Sequence, residues 1–259
     1  MNTDHQKLYQ HDQKQTLENR QRLQSNSNLM LWYQELYREV FRTVPDIAQK
    51  RVLEIGSGTS PLKTFLPNVI TSDVLKLEHL DIVFDCHNIA DFSEIPDHSI
   101  DVITLTNVLH HLRDPLYFLR NATRKLTKGG EIFIVEPHFS MVSYPLYKLL
   151  HHEPVDFGIS RPVLDTIDGP LSSSNQAMPH MIFFTRPDWL KELGDCFELD
   201  QTRFGFFTSL AYMLTGGISR VFPIPSWIYR PYLALDRFLA RSLPKMFASF
   251  FIVRLVAKS

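Results

Sequence analysis

Cysteine, phosphate-binding glycine loops and long apolar runs are all scarce in this 259-residue chain. Cys86 and Cys196 are too few for a disulfide framework, so a reducing compartment is expected. The longest apolar stretch, FASFFIVRLVA, is eleven residues with Arg254 inside it, too short to span a bilayer. The polar start MNTDHQKLYQHDQKQ has no apolar core of a secretory signal, and the expected location is cytoplasmic. No Gly-Lys-Ser/Thr triphosphate loop occurs, and neither His-Glu-x-x-His nor Cys-x-x-Cys, so no metal is expected. A net charge of −1 gives no global signal for nucleic acid, and no segment reads as an RNA-binding module.

What is present is an alternation of short apolar runs with amphipathic stretches. RVLEIG, NVITSDV, DIVFDC, IDVITLT and the segment after a Gly-Gly turn, EIFIVEP, read as five strands, and DPLYFLRNATRKL as a helix between the last two. That rhythm means βαβ units and a largely parallel, doubly wound α/β sheet. FELDQTRFG reads as a further strand, and SFFIVRLVA reads as a final strand rather than an amphipathic membrane helix. Residues 1–45 form an expected N-terminal helical cap on a domain covering 46–259, with a lid loop at 138–180 and a helical insertion at 206–246.

Parallel sheets bind ligands beyond the carboxyl ends of their strands. The first strand ends in VLEIGSGTSP, where Gly56 and Gly58 let a ligand approach the backbone and Ser57 lies between them. A dinucleotide turn would carry a third glycine at position 61; Pro61 stands there instead. Glu54 would repel a pyrophosphate but suits an ammonium group. Asp73, followed by Val74, ends the second strand and can accept from a ribose diol. Asp85 and Cys86 after the third strand suit an exocyclic amine and a ring edge, and Asn107 follows the fourth. An ammonium, a ribose, an adenine and no pyrophosphate describe S-adenosylmethionine. Pro61 counts against the rival reading, an NAD(P)-dependent reductase, and the complete set of ligand residues against a non-catalytic binding subunit.

VLEIGSGTSP, SDV, FDCHNI and PDHSIDVITLTNVLHHLRDPLYFLRNATRKLTKGGEIFIVEP resemble the cofactor domain of class I S-adenosylmethionine-dependent methyltransferases, in the branch of quinone-type and other small-molecule methylases. The resemblance covers Val52 to Pro137. It implies a Rossmann-like seven-stranded sheet whose last strand is antiparallel and inserted beside the fifth. It also implies cofactor roles for Glu54, Gly56, Gly58, Asp73, Asp85, Cys86 and Asn107. Ser60 stands where many members have a small glycine. Catechol-type metal-dependent members would need carboxylates where this chain has Thr106 and Asn107. HHEPVDF and SSSNQAMPH resemble stretches of bacterial methyltransferases of polysaccharide or lipid biosynthesis.

A general base is required only if the acceptor must lose a proton, and histidine suits that task. His138 follows the fifth strand, and His151, His152 and Glu153 lie in the expected lid, so these four are the catalytic candidates. His110 and His111 are read as packing residues that shape the cofactor pocket. The expected acceptor is a small molecule or a lipid-linked or glycan group, methylated at oxygen. Arg203 to Ser259 holds eight Lys and Arg against one acidic residue, Asp236. The basic, aromatic insertion within it reads as a packed cap, an apolar acceptor pocket, or a contact with an anionic membrane through Trp227, Tyr229, Arg230, Tyr232, Arg237 and Arg241.

Overall fold

The computed structural model describes residues 3–150, 153–165, 169, 173–218 and 222–258. Two helices come first, α1 (Thr3–Ser25) and α2 (Ser27–Val40), separated by Asn26, whose side chain caps α2 by accepting from Leu29 N at 3.1 Å. The parallel strands are β1 (Val52–Ile55), β2 (Val69–Asp73), β3 (Ile82–Val83), β4 (Ile100–Thr106) and β5 (Leu126–Pro137). Between them lie α3 (Leu62–Phe65) and α4 (Pro115–Ala122), the latter capped by Asp114 and opened by Pro115. After β5 come α5 (Ser143–Leu150), α6 (Ala177–His180), α7 (Pro187–Lys191), β6 (Arg203–Phe207), α8 (Ala211–Leu214), α9 (Ser226–Ser242), α10 (Pro244–Phe247) and β7 (Phe250–Val256).

The strands form one seven-stranded sheet in the order β3-β2-β1-β4-β5-β7-β6. β7 runs antiparallel between β5 and β6, so the C-terminal segment is the strand expected from its Phe, Ile and Val content. Alternation along each strand sends side chains to two cores. Ile103, Leu105, Phe251 and Val253 face one side with α4 and Trp189; Val102, Phe250 and Ile252 face the other with α2 and α9.

Two boundaries differ from expectation. β6 continues through Phe207, so the insertion starts after that residue and not at 206. The Gly-Gly turn is absorbed into β5, with Gly129 at φ +69° and a register shift between the pairs at Ile100 and Val102. The N-terminal and inserted helices pack as one layer. Trp32 is buried among Tyr33, Phe207, Tyr212 and Phe250, and its Nε1 donates to Thr208 Oγ1 at 3.1 Å. Arg237 pairs with Glu35 and Glu39, joining α9 to α2.

Candidate functional site

The carboxyl ends of the parallel strands β1 to β5 lie along one edge of the sheet, and α1 reaches the turns there. Tyr9 Oη donates to Val74 O at 3.3 Å, Gln13 reaches Lys76 O at 2.7 Å, and Arg20 Nη1 reaches Ser60 O at 2.7 Å. The N-terminal helix is therefore a cover for the β1 and β2 turns.

Gly56 has φ +75°, and a Cβ there would lie 2.3 Å from Val108 Cγ2. A Cβ on Gly58 would lie 2.7 Å from Thr16 Cγ2 and 2.9 Å from Asp73 Oδ2. Both glycines are needed for close approach, one by backbone and one by space. Ser57 is buried and spends its side chain on the turn itself, donating to Glu54 O and accepting from Ser72 N at 3.1 Å. Glu54 is buried; Oε1 accepts from Ser60 Oγ at 2.5 Å, while Oε2 has no hydrogen-bond partner among the described residues. Burial lifts its pKa to about 7, against the lowering effect of Ser60, Ser57 and the Arg20 charge. A buried, unpartnered carboxylate oxygen fits the ammonium that the sequence reading requires.

Asp73 accepts from Gly58 N at 2.9 Å through Oδ2 and from Leu75 N at 3.0 Å through Oδ1. Asp85 caps the turn at Cys86–Asp91, with Oδ1 accepting from His87 N at 2.9 Å, and its pKa falls through the His87 hydrogen bond. Cys86 is buried, which pushes its thiol pKa far up and makes it inert. Asn107 adopts φ +55°, donates N–H to Val135 O at 2.9 Å, and keeps a buried Oδ1 without a partner among the described residues. Val74 is exposed beside Tyr9. The nine expected cofactor residues are thus brought to the ends of four strands.

The expected catalytic residues fare differently. His138 lies at the end of β5, but its ring is packed against His180, Phe184 and Phe206, with centroids 4.9–5.4 Å away. Burial lowers its pKa to about 4, and that of His180 likewise to about 4. Among the described residues, each keeps a buried Nδ1 without a hydrogen-bond partner. His151 and His152 lie outside the described residues.

Glu153 reaches the turn after β4 and meets His110 and His111. His110 is buried, with Nδ1 against Glu136 Oε2 and Nε2 3.2 Å from Glu153 Oε2. Burial pulls the His110 pKa down, but the two carboxylates outweigh it and hold the imidazole at about 10. Glu153 is kept well below the usual carboxylate range by His110, in spite of burial. Glu136 Oε1 also accepts from Val108 N at 2.9 Å and Leu109 N at 2.6 Å, fixing the turn. The reading of His110 and His111 as packing residues is corrected here: His110 is a charged bridge between β5 and the segment after α5. The sequence reading missed Glu136 altogether. Its signal was a carboxylate, in IFIVEP, inside an otherwise apolar buried strand. Asn175 and Leu164 are tied to this turn and the residues after it, by Asn175 N to His110 O at 3.0 Å and Leu164 N to Arg113 O at 2.9 Å.

The profile of a family described as a methyltransferase domain matches residues 29–192. A methyltransferase from Thermotoga maritima, described as a possible histamine N-methyltransferase, has a solved structure with 15% identity and a TM-score of 0.51, covering 88% of this chain and 89% of that one. S-adenosylmethionine-dependent methyltransferases from Archaeoglobus fulgidus (17% identity, TM-score 0.48, 86% and 94% coverage) and Mesorhizobium loti (16%, 0.45, 85% and 96%) are also similar. No curated protein matches the sequence. At these identities the likeness is one of fold.

Proposed function

The chain belongs to the methyltransferase-domain family, and from that premise we propose that it methylates a hydroxyl of a lipid-linked acceptor at an anionic membrane surface. S-adenosylmethionine is the methyl donor. The residues that would hold it are Glu54 for the ammonium, the Gly56–Gly58 turn for the backbone approach, Asp73 for the ribose, and Asp85 with Cys86 for the adenine. When bound, it supplies a sulfonium-activated methyl group.

The observation that carries the acceptor reading is the outer face of α9. Tyr229, Leu233, Asp236 and Ala240 face inward, while Trp227 (76% exposed), Leu235 (55%) and Phe238 (64%) point to solvent. Arg230 and Arg241 flank that apolar ridge, and Arg241 also pairs with Glu39. Large exposed aromatics beside arginines are the pattern of a helix lying in a lipid interface. Among the described residues no helix is long and apolar enough to cross a membrane. Oxygen as the acceptor atom is supported by His138 and His180, two uncharged imidazoles whose Nδ1 atoms have no partner among the described residues. Their weak basicity suffices, because a hydroxyl becomes strongly acidic as the methyl bonds to its oxygen.

Methyl-labelled donor incubated with the protein and fractionated cell extract tests this. Label is expected in the organic-soluble lipid fraction; label mainly in protein or nucleic acid refutes the acceptor class. In sedimentation with vesicles, binding to phosphatidylglycerol is expected to exceed binding to phosphatidylcholine. The Trp227→Ser/Phe238→Ser double variant should lose about tenfold or more in affinity. Equal sedimentation of variant and parent would remove the membrane reading.

Glu54 makes cofactor binding pH-dependent. Only its ionised form pairs with an ammonium, so below its pKa of about 7 binding must first expel a proton. Affinity for S-adenosylhomocysteine, followed by calorimetry, should fall about tenfold per unit of pH below that value and level off above it. Glu54→Gln should flatten the profile; a parent profile already flat from pH ~5 to 8 contradicts the assignment. Stability of the unliganded protein has the opposite sign. The folded pKa of about 7 exceeds the ordinary 4.5, so this group's contribution is full below 4.5 and is lost as pH rises through 7.

A further inference from the structure

The turn after β4 and the segment after α5 bring two imidazoles and a carboxylate to one point. His110 Nε2 is 3.2 Å from Glu153 Oε2, and His111 Nε2 is 3.5 Å from Glu153 Oε1. One donor atom from each of the three residues falls within 4.8 Å of the others. Chain neighbours on a regular helix or strand diverge. Leu109–His111 is a tight single turn instead, and its two rings lie with centroids 4.2 Å apart and planes 39° apart.

The opposite edge of each ring is also fixed. His110 Nδ1 is held by the Glu136 carboxylate, and His111 Nδ1 lies 3.1 Å from the Ser173 carbonyl. An acceptor at Nδ1 keeps a proton on that nitrogen, so an entering ion displaces the Nε2 proton that the charged His110 shares with Glu153 and then meets an Nε2 lone pair at the shared point. Such outer partners accompany nearly every metal-ligating histidine. The carboxylate has its own outer partner, since Gln176 Nε2 donates to Glu153 Oε2 at 2.7 Å.

We infer that His110, His111 and Glu153 bind one divalent transition-metal ion, of the zinc class. Two imidazoles and one carboxylate are the donors that zinc takes, whereas magnesium and calcium favour oxygen alone. Among the described residues three protein ligands meet at this point, fewer than the four of a closed structural zinc site. The absence of His-Glu-x-x-His spacing does not bear on this site, because its ligands come from two separate segments. His110 lies close along the chain to the β1 turn, since Val108, two residues before it, stands where a Cβ on Gly56 would meet it. An ion there would act on the acceptor oxygen as a Lewis acid; that use rests on the proposed hydroxyl methylation, whereas ion uptake does not.

The test is metal uptake by the untagged full-length protein. After chelator treatment and dialysis, titration with Co2+ should give visible absorption bands saturating at about one ion per chain, and Zn2+ should abolish them. Elemental analysis after Zn2+ loading should give the same stoichiometry. His111→Gln and Glu153→Gln should each weaken Co2+ binding by about 100-fold or more. Glu136→Gln, which touches no ion, should weaken it by about 10–100-fold. Circular dichroism of each variant establishes that it is folded. If the parent takes up no Co2+ or Zn2+, or if folded His111→Gln and Glu153→Gln bind as the parent does, the inference is overturned. Methyl transfer unaffected by chelation, with the ion still binding, would instead remove only its role in the reaction.

Discussion

Glu136→Ala is expected to destabilise the folded protein by about 3–5 kcal/mol, the range for removing one partner of a buried ion pair. Glu136 is fully buried, and both of its oxygens are in use. Alanine would leave the N–H groups of Val108 and Leu109 without this acceptor, the first half-buried and the second fully buried. Each such loss costs about 1–3 kcal/mol. It would also leave the buried His110 imidazole with Glu153 as its one remaining carboxylate contact. Glu136→Gln separates the contributions. Its amide oxygen can still accept from Val108 and Leu109, so the loss should be about 1–2 kcal/mol, while its amide N–H₂ now faces His110 Nδ1. Urea unfolding at neutral pH measures both variants. A Glu136→Ala variant within about 1 kcal/mol of the parent would show that the turn finds other acceptors.

The sheet was legible because buried parallel strands are apolar runs bounded by Gly, Pro and Asp, and this chain punctuates them clearly. The last strand followed from the same composition, once a helical insertion was placed before it, while its antiparallel direction was what the family resemblance implied. Lengths were less legible. DIVFDC gives a strand of two residues, because β3 has just Ser72 and Asp73 of β2 to pair with. FELDQTRFG opens with a turn at Leu199–Gln201 and becomes a strand from Arg203. The cofactor turns could be read because each is local, a strand end followed by a few residues. The His110–Glu136–Glu153 cluster could not, since its members come from three segments that only the fold unites. His138 shows the converse limit. Its place at the end of β5 was right, but sequence gave no sign of the rings from α6 and β6 that enclose it. Nor did the polar, weakly amphipathic α1 announce that it lies over the cofactor turn; that follows from Tyr9, Gln13 and Arg20 finding backbone acceptors and donors there.

Asp73→Ala should weaken binding of S-adenosylhomocysteine by about 100-fold or more, through two losses that add. An ionised carboxylate offers about four lone-pair sites. Gly58 N and Leu75 N occupy one on each oxygen, leaving one on each for the two ribose hydroxyls. Hydrogen bonds to a charged acceptor contribute about 1.5–3 kcal/mol each, so losing both from the ligand accounts for the expected factor. The backbone bonds add to this, because they hold the Gly58 turn at the distance where a Cβ would meet the Asp73 carboxylate. Asp73→Asn tests the division. Its amide oxygen can replace one oxygen of the carboxylate, but the amide N–H₂ cannot accept from the second ribose hydroxyl or from a backbone N–H. Its loss should therefore be intermediate, about 10–30-fold. Calorimetric titration of both variants gives the affinities, and thermal unfolding without ligand reports the turn separately. If Asp73→Ala binds as tightly as the parent, the ribose is held elsewhere, and the carboxylate serves only to tie the β1 turn to β2.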